Sequence, residues 1–216
     1  MATQVCVEMG TKKVFAVALD WPGWARSGKS EEEALEALRA YADRYAPVVR
    51  AAGLAFPASA KTLRVTEHVE GGASTDFGVP HEPAAADARR VSAADAQRLT
   101  SLVTAAWTTL DEVAAASPEQ LRKGPRGGGR DRDKMLGHVL EAQAAYARKI
   151  GIKQSPPAID DVAAIEEQRE AIATLLATPS DGGPLTEGGW STRYAARRIA
   201  WHALDHAWEM QDRAEP

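Results

Sequence analysis

Apolar and β-branched residues gather in two short runs near the start of the chain, residues 4–9 (Gln-Val-Cys-Val-Glu-Met) and 13–19 (Lys-Val-Phe-Ala-Val-Ala-Leu), separated by Gly10-Thr11-Lys12. Strand formers on both sides of a turn-like triplet predict a β-hairpin. Asp20-Trp21-Pro22-Gly23-Trp24 then breaks the pattern, and Ser30 followed by Glu33 has the spacing of a capping box, so a helix is expected from there through Arg50. Ala34, Leu35, Leu38, Tyr41, Ala42, Tyr45 and Val49 recur with helical period, which gives that helix one face to lay on a sheet. Gly53 ends it. Leu63–Val69 reads as a third strand and Thr75–Val79 as a short fourth, so residues 1–80 are expected to form a compact β-β-α-β domain.

The texture changes after Pro80. Residues 81–91, rich in Pro, Ala, Asp and Arg, read as a linker. Four long segments with helix-forming composition follow: Ser92–Ser117, Asp131–Ile150, roughly Ile159–Ala177 and Ser191–Arg213. The joints between them are rich in Gly and Pro, namely Gly124–Arg130, Gly151–Pro157 and Thr178–Trp190. Long helices with sharp breaks predict a four-helix bundle over residues 92–216, and the whole chain an α+β protein.

Composition narrows the function. The chain has 216 residues, enough for one large or two small domains, and a formal net charge of -4. Binding to nucleic acid through phosphate neutralisation is disfavoured, because neither half of the chain is basic. The single cysteine, Cys6, excludes an intrachain disulfide and reads as a small buried hydrophobe. With no basic-plus-apolar leader and no apolar run of spanning length, a cytoplasmic protein that does not enter a membrane is expected.

The candidate chemistry lies near the C-terminus, where the last helix carries His202 and His206. Residues four apart share a helix face one turn apart, so both imidazoles can reach one ion. His138, on the second long helix, is the candidate third ligand. Three neutral imidazoles suit Zn, Ni, Fe or Cu and leave coordination positions for water or substrate. Ala142 and Ala145 share the His138 face, and Ala195 and Ile199 lie beside His202, so space over the ion is expected. Glu141 and Glu209, each three residues after a histidine, are candidates to orient a ligand, join the coordination sphere or relay a proton. His68 and His81 have no partner at ligand spacing and read as structural or surface histidines. In the glycine-rich joint, Arg126, Arg130 and Arg132 are candidates to meet an anionic substrate at the bundle mouth.

Two resemblances add to this reading. The run Phe15-Ala16-Val17-Ala18-Leu19-Asp20-Trp21-Pro22-Gly23, then Gly28 and Lys29-Ser30-Glu31-Glu32-Glu33-Ala34-Leu35, resembles the N-terminal, partly RNase H-like domain of the HicB antitoxin family, over about residues 4–70. That resemblance implies a fold and a partner-docking role, although the DNA-binding signature usual at the C-terminus of such proteins is missing here. One histidine on the second helix and His-x-x-x-His on the fourth resemble the DinB-like superfamily, which includes bacillithiol- and mycothiol-dependent transferases, over residues 91–216. This second resemblance implies an up-down-down-up bundle that holds a divalent metal, often Zn or Ni, at His138, His202 and His206, and that commonly dimerises.

The last helix also carries Tyr194, Trp201, Leu204 and Trp208 as a stripe away from the His202/His206 face. A neighbouring helix, the N-terminal domain or a second subunit in a homodimer must cover it. The leading expectation is a metal-dependent transferase or hydrolase that activates a low-molecular-weight thiol or a water for attack on a small-molecule substrate. The rival is a non-catalytic binding or sensor protein, in which the HicB-like domain docks a partner and the bundle is a scaffold.

Overall fold

The computed structural model describes residues 2–124 and 128–214, so Arg126 lies outside the described residues. The protein is α+β, with the strands in the N-terminal part and long helices after them. Strands β1 (Thr3–Met9) and β2 (Val14–Ala18) form the expected hairpin, paired antiparallel with Val7 opposite Ala16. A strand the sequence pattern does not announce, β3 (Ala25–Gly28), pairs antiparallel with β2. It is only four residues long, and Ala-Arg-Ser-Gly has no apolar alternation to mark it.

The expected helix through Arg50 is two helices, α1 (Glu31–Ala40) and α2 (Ala42–Ala51), which meet at Tyr41. The Ser30 side chain accepts a bond from the Glu33 N–H at 3.2 Å, and the Glu33 carboxylate reaches back to the Lys29 N–H. Strand β4 (Leu63–Glu70) returns parallel to β1, giving the sheet order β3-β2-β1-β4.

The expected strand at Thr75–Val79 is instead a short helix, α3 (Ala73–Phe77). Although Thr and Val favour strands, the Thr75 hydroxyl bonds to the buried Glu8 carboxylate and accepts from the Gly72 N–H, which closes a helical turn there. The expected linker is docked rather than free. Residues Ala85–Ala88 form a 3-10 turn, Ala84 and Ala86 pack with Cys6 and Leu19, and Asp87 is buried.

Four long helices follow: α4 (Ala93–Ala116), α5 (Arg132–Lys149), α6 (Val162–Leu176) and α7 (Thr192–Ala214). Their bounds fall within three residues of the positions set by the glycines and prolines between them. Ser92 caps α4 by accepting from the Asp95 N–H at 3.1 Å, and Asp161 caps α6 by accepting from the Ala164 N–H at 3.1 Å. Helix α7 packs on α4 and α5, and α6 on α4 and α5. No helix among the described residues is long and apolar enough to cross a membrane.

One buried cluster runs through both halves of the chain, from Val5, Trp24, Leu38 and Tyr45 to Leu99, Leu102, Leu204 and Trp208. The aromatic stripe of α7 is the seam. Trp201 meets Phe15 edge-on at 6.2 Å, Trp208 meets Tyr41 at 5.3 Å, and Leu204 lies under the turn that holds Gly23. Gly23 has φ +93°, and a Cβ there would stand 2.6 Å from the Leu204 side chain, so the turn approaches α7 as closely as it does only with glycine. The N-terminal strands and helices thus lie against Trp201, Leu204 and Trp208 of the stripe, while Tyr194 packs on Trp190 and bonds to the His81 carbonyl.

Candidate metal centre

Helix α7 is aimed by interactions at its start. The Ser191 hydroxyl donates to the Asp87 carbonyl and accepts from the Tyr194 N–H. Arg197 and Asp87 form an ion pair buried on both sides, through two contacts. With the apolar face of α7 fixed on the sheet, the opposite face turns His202 and His206 toward α5, where His138 stands in the second turn. The ring centroids lie 5.0 Å apart for His138–His202, 5.0 Å for His138–His206 and 4.7 Å for His202–His206. One nitrogen from each ring lies within 4.8 Å of the other two. Among the described residues this is the one group of three or more His, Cys, Asp or Glu side chains gathered closely enough to hold an ion.

Burial disfavours the charged form of two of the rings. Burial pulls the His138 pKa down, with the Arg130 charge adding to it. Burial also pulls His202 well below the ordinary histidine value, with further contributions from His206, His138, Arg198 and Arg130. His202 and His206 are only 7% and 9% exposed, whereas His138 is half-buried, so the group is approached from the α5 side. Neutral imidazole is the form that donates a lone pair to a metal.

The neighbouring carboxylates sit differently. Glu209 accepts from His206 Nδ1 at 2.9 Å and pairs with Arg213 at 2.8 Å. The His206 bond is the main reason its carboxyl is held below the usual range. An ionised carboxylate only accepts, so His206 Nδ1 carries the hydrogen of this bond and Nε2 is the nitrogen left to face an ion. Glu141 is exposed on α5, and its charge acts on His138 without a direct bond.

Of the small residues expected beside the ligands, Ala142 and Ala145 are partly open to solvent next to His138, while Ala195 and Ile199 are buried in the core. Arg130 is exposed near the histidines, and Arg132 is tied to Asp133 and the Ser117 carbonyl. His68 pairs with Glu31 at 3.0 Å on the surface. Cys6 is buried, and burial pushes its thiol up to about 12, which leaves it inert as a nucleophile.

Tyr146, Trp190 and Arg198 also stand at this site, and the sequence reading did not single them out. The Tyr146 ring meets His202 at 5.6 Å and Trp190 at 5.1 Å, and its hydroxyl accepts from Arg198 at 3.2 Å. A helical wheel extended by one turn finds Arg198, four residues before His202, and finds Tyr146 two turns after His138. Trp190, by contrast, comes from the joint before α7, which no periodicity places. Comparison with protein-family models, with curated proteins and with solved structures returns no match to this chain.

Proposed function

We propose that His138, His202 and His206 bind one divalent metal ion, zinc or nickel, and that the protein is a metal-dependent transferase or hydrolase built on a DinB-like four-helix bundle of α4–α7. The observation that carries this reading is the convergence of three imidazole nitrogens from two helices, two of them on rings buried nearly out of solvent. Burial disfavours the charged forms of His138 and His202, which stand packed against each other and against His206. Withdrawing imidazole nitrogens from water costs free energy that a bound metal offsets.

The donor set fits such an ion. All three donors are nitrogen, burial disfavours the charged forms of His138 and His202, and Glu209 orients His206 by bonding its Nδ1, the arrangement in which outer carboxylates support histidine ligands. When bound, the ion supplies Lewis acidity that makes a water or a thiol nucleophilic at neutral pH. Glu209 holds the proton on His206 Nδ1 and, through Arg213, keeps its own position. Glu141, exposed at the open side, stands where a carboxylate can exchange protons with solvent. Tyr146, with Trp190 packed behind it, covers His202 and limits water there.

The test is elemental analysis of protein purified without an affinity tag or chelator. About one ion per chain is expected, falling to background in folded His202→Ala. Substoichiometric metal that the substitution leaves unchanged refutes the proposal.

A further inference from the structure

Two consecutive arginines of α7 are buried, Arg197 at 5% and Arg198 at 4% exposure. Arg197 is neutralised by Asp87. Arg198 is in no ion pair among the described residues: one terminal nitrogen donates to the Pro80 carbonyl at 2.6 Å, the other to the Tyr146 hydroxyl at 3.2 Å, and Nε has no acceptor. A carbonyl and a phenol are neutral, so a full positive charge is left in the interior without a counter-charge. The void beside it, shared with Trp201 and Trp24, has a volume of about 10 Å³, which admits one water and no anion.

The direction in which a counter-charge can arrive is set by the aromatic rings. The guanidinium carbon lies 5.3 Å from the Tyr146 ring centre and 5.1 Å from that of Trp201, and of these two rings Trp201 is buried while Tyr146 is partly exposed. Tyr146 is the link outward. Its hydroxyl accepts from Arg198, which leaves the phenolic hydrogen to be donated elsewhere, and its ring is partly exposed against His202. Arg198 itself lies one helical turn from His202 on the same side of α7.

We propose that Tyr146 and Arg198 form a carboxylate-recognition subsite of the histidine centre, so that the molecule acted on there carries a carboxylate a short distance from its reacting atom. This rests on the metal-site reading and adds the substrate class to it. A single planar guanidinium with one phenol matches one negative charge and two acceptor oxygens. A phosphate dianion would bury charge that nothing else here balances.

The experiment uses the zinc-loaded protein and three thiols that each carry a carboxylate: mercaptoacetate, 3-mercaptopropionate and 4-mercaptobutanoate. Each is compared with its amide by calorimetric titration. At least one acid is expected to bind about tenfold or more tightly than its amide, as a charge-assisted pair requires. Arg198→Met removes the preference and Tyr146→Phe reduces it, with zinc content unchanged in both. The inference is overturned if no acid is preferred, or if the preference survives Arg198→Met. Should Arg198→Met fail to fold, Tyr146→Phe decides: an undiminished preference overturns the subsite. Protein that takes up no zinc refutes the metal reading alone. Propionate against propionamide, followed by tryptophan fluorescence of the metal-free protein, then decides the subsite by the same criteria.

Discussion

The two faces of α7 are built on opposite terms. Toward the sheet, Trp201, Leu204 and Trp208 are packed against Phe15, Gly23 and Tyr41, and the charges there are matched, buried Arg197 by Asp87 and Asp205 by Arg26. Toward α5, three histidines are pressed together, His138 and His202 with their charged forms disfavoured by burial, and Arg198 is buried without a counter-charge among the described residues. The first face is what stability alone would select. The second keeps polar groups where stability would not put them, the kind of local violation expected at a functional site.

That contrast breaks most directly on the packed face. Leu204→Ala removes a fully buried side chain and is expected to cost about 2–5 kcal/mol. Asp87→Ala, which strands Arg197, is expected to cost about 3–5 kcal/mol. Denaturant unfolding measures both, and losses under about 1 kcal/mol would mean that the seam is not what fixes α7. On the histidine face, His202→Leu is expected to change the stability of metal-free protein by less than about 1 kcal/mol, because it trades a desolvated imidazole for a hydrocarbon of similar size. It should also abolish any rise in melting temperature with added zinc. A large loss in the metal-free protein would show that His202 is structural.

Smaller effects sharpen the same contrast. Glu209→Gln is expected to weaken zinc binding about ten- to a hundredfold, read by competition with a chromophoric chelator, as loss of an orienting carboxylate does. Unchanged affinity would remove Glu209 from the site. The pH dependence follows from the lowered pKa values of His138 and His202. The unfolded chain protonates these histidines near pH 6.5 while the folded protein resists, so below that pH the unfolded state binds more protons. Metal-free protein should therefore lose stability as pH falls through about 6.5, and His202→Leu should flatten the decline. An identical slope in the variant would contradict the burial of a neutral ring.

The helices and the His202/His206 pair are legible because their signals are local, and His138 joins them through the expected packing of its helix in a bundle. Glycine and proline clusters delimit α4–α7, and the spacing of His202 and His206 is visible on any helical wheel. What escaped depends on contacts between distant segments. Strand β3 exists because β2 offers an edge to Ala25–Gly28, and α3 replaces a strand because Glu8, 67 residues away, holds Thr75. The supposed linker docks because Asp87 meets Arg197 across 110 residues. Arg198 and Tyr146 are each ordinary helix residues in sequence. Only the packing of α5 on α7 reveals that one of them is a buried cation and the other its link to the histidines.

X-ray absorption spectroscopy of the zinc-loaded protein tests the metal centre most directly. Coordination by His138, His202 and His206 predicts a shell with three imidazole nitrogens at about 2.0–2.1 Å and the loss of one imidazole or of all bound zinc in His202→Ala. A shell dominated by carboxylate or solvent oxygen, or one unchanged by the substitution, would contradict it.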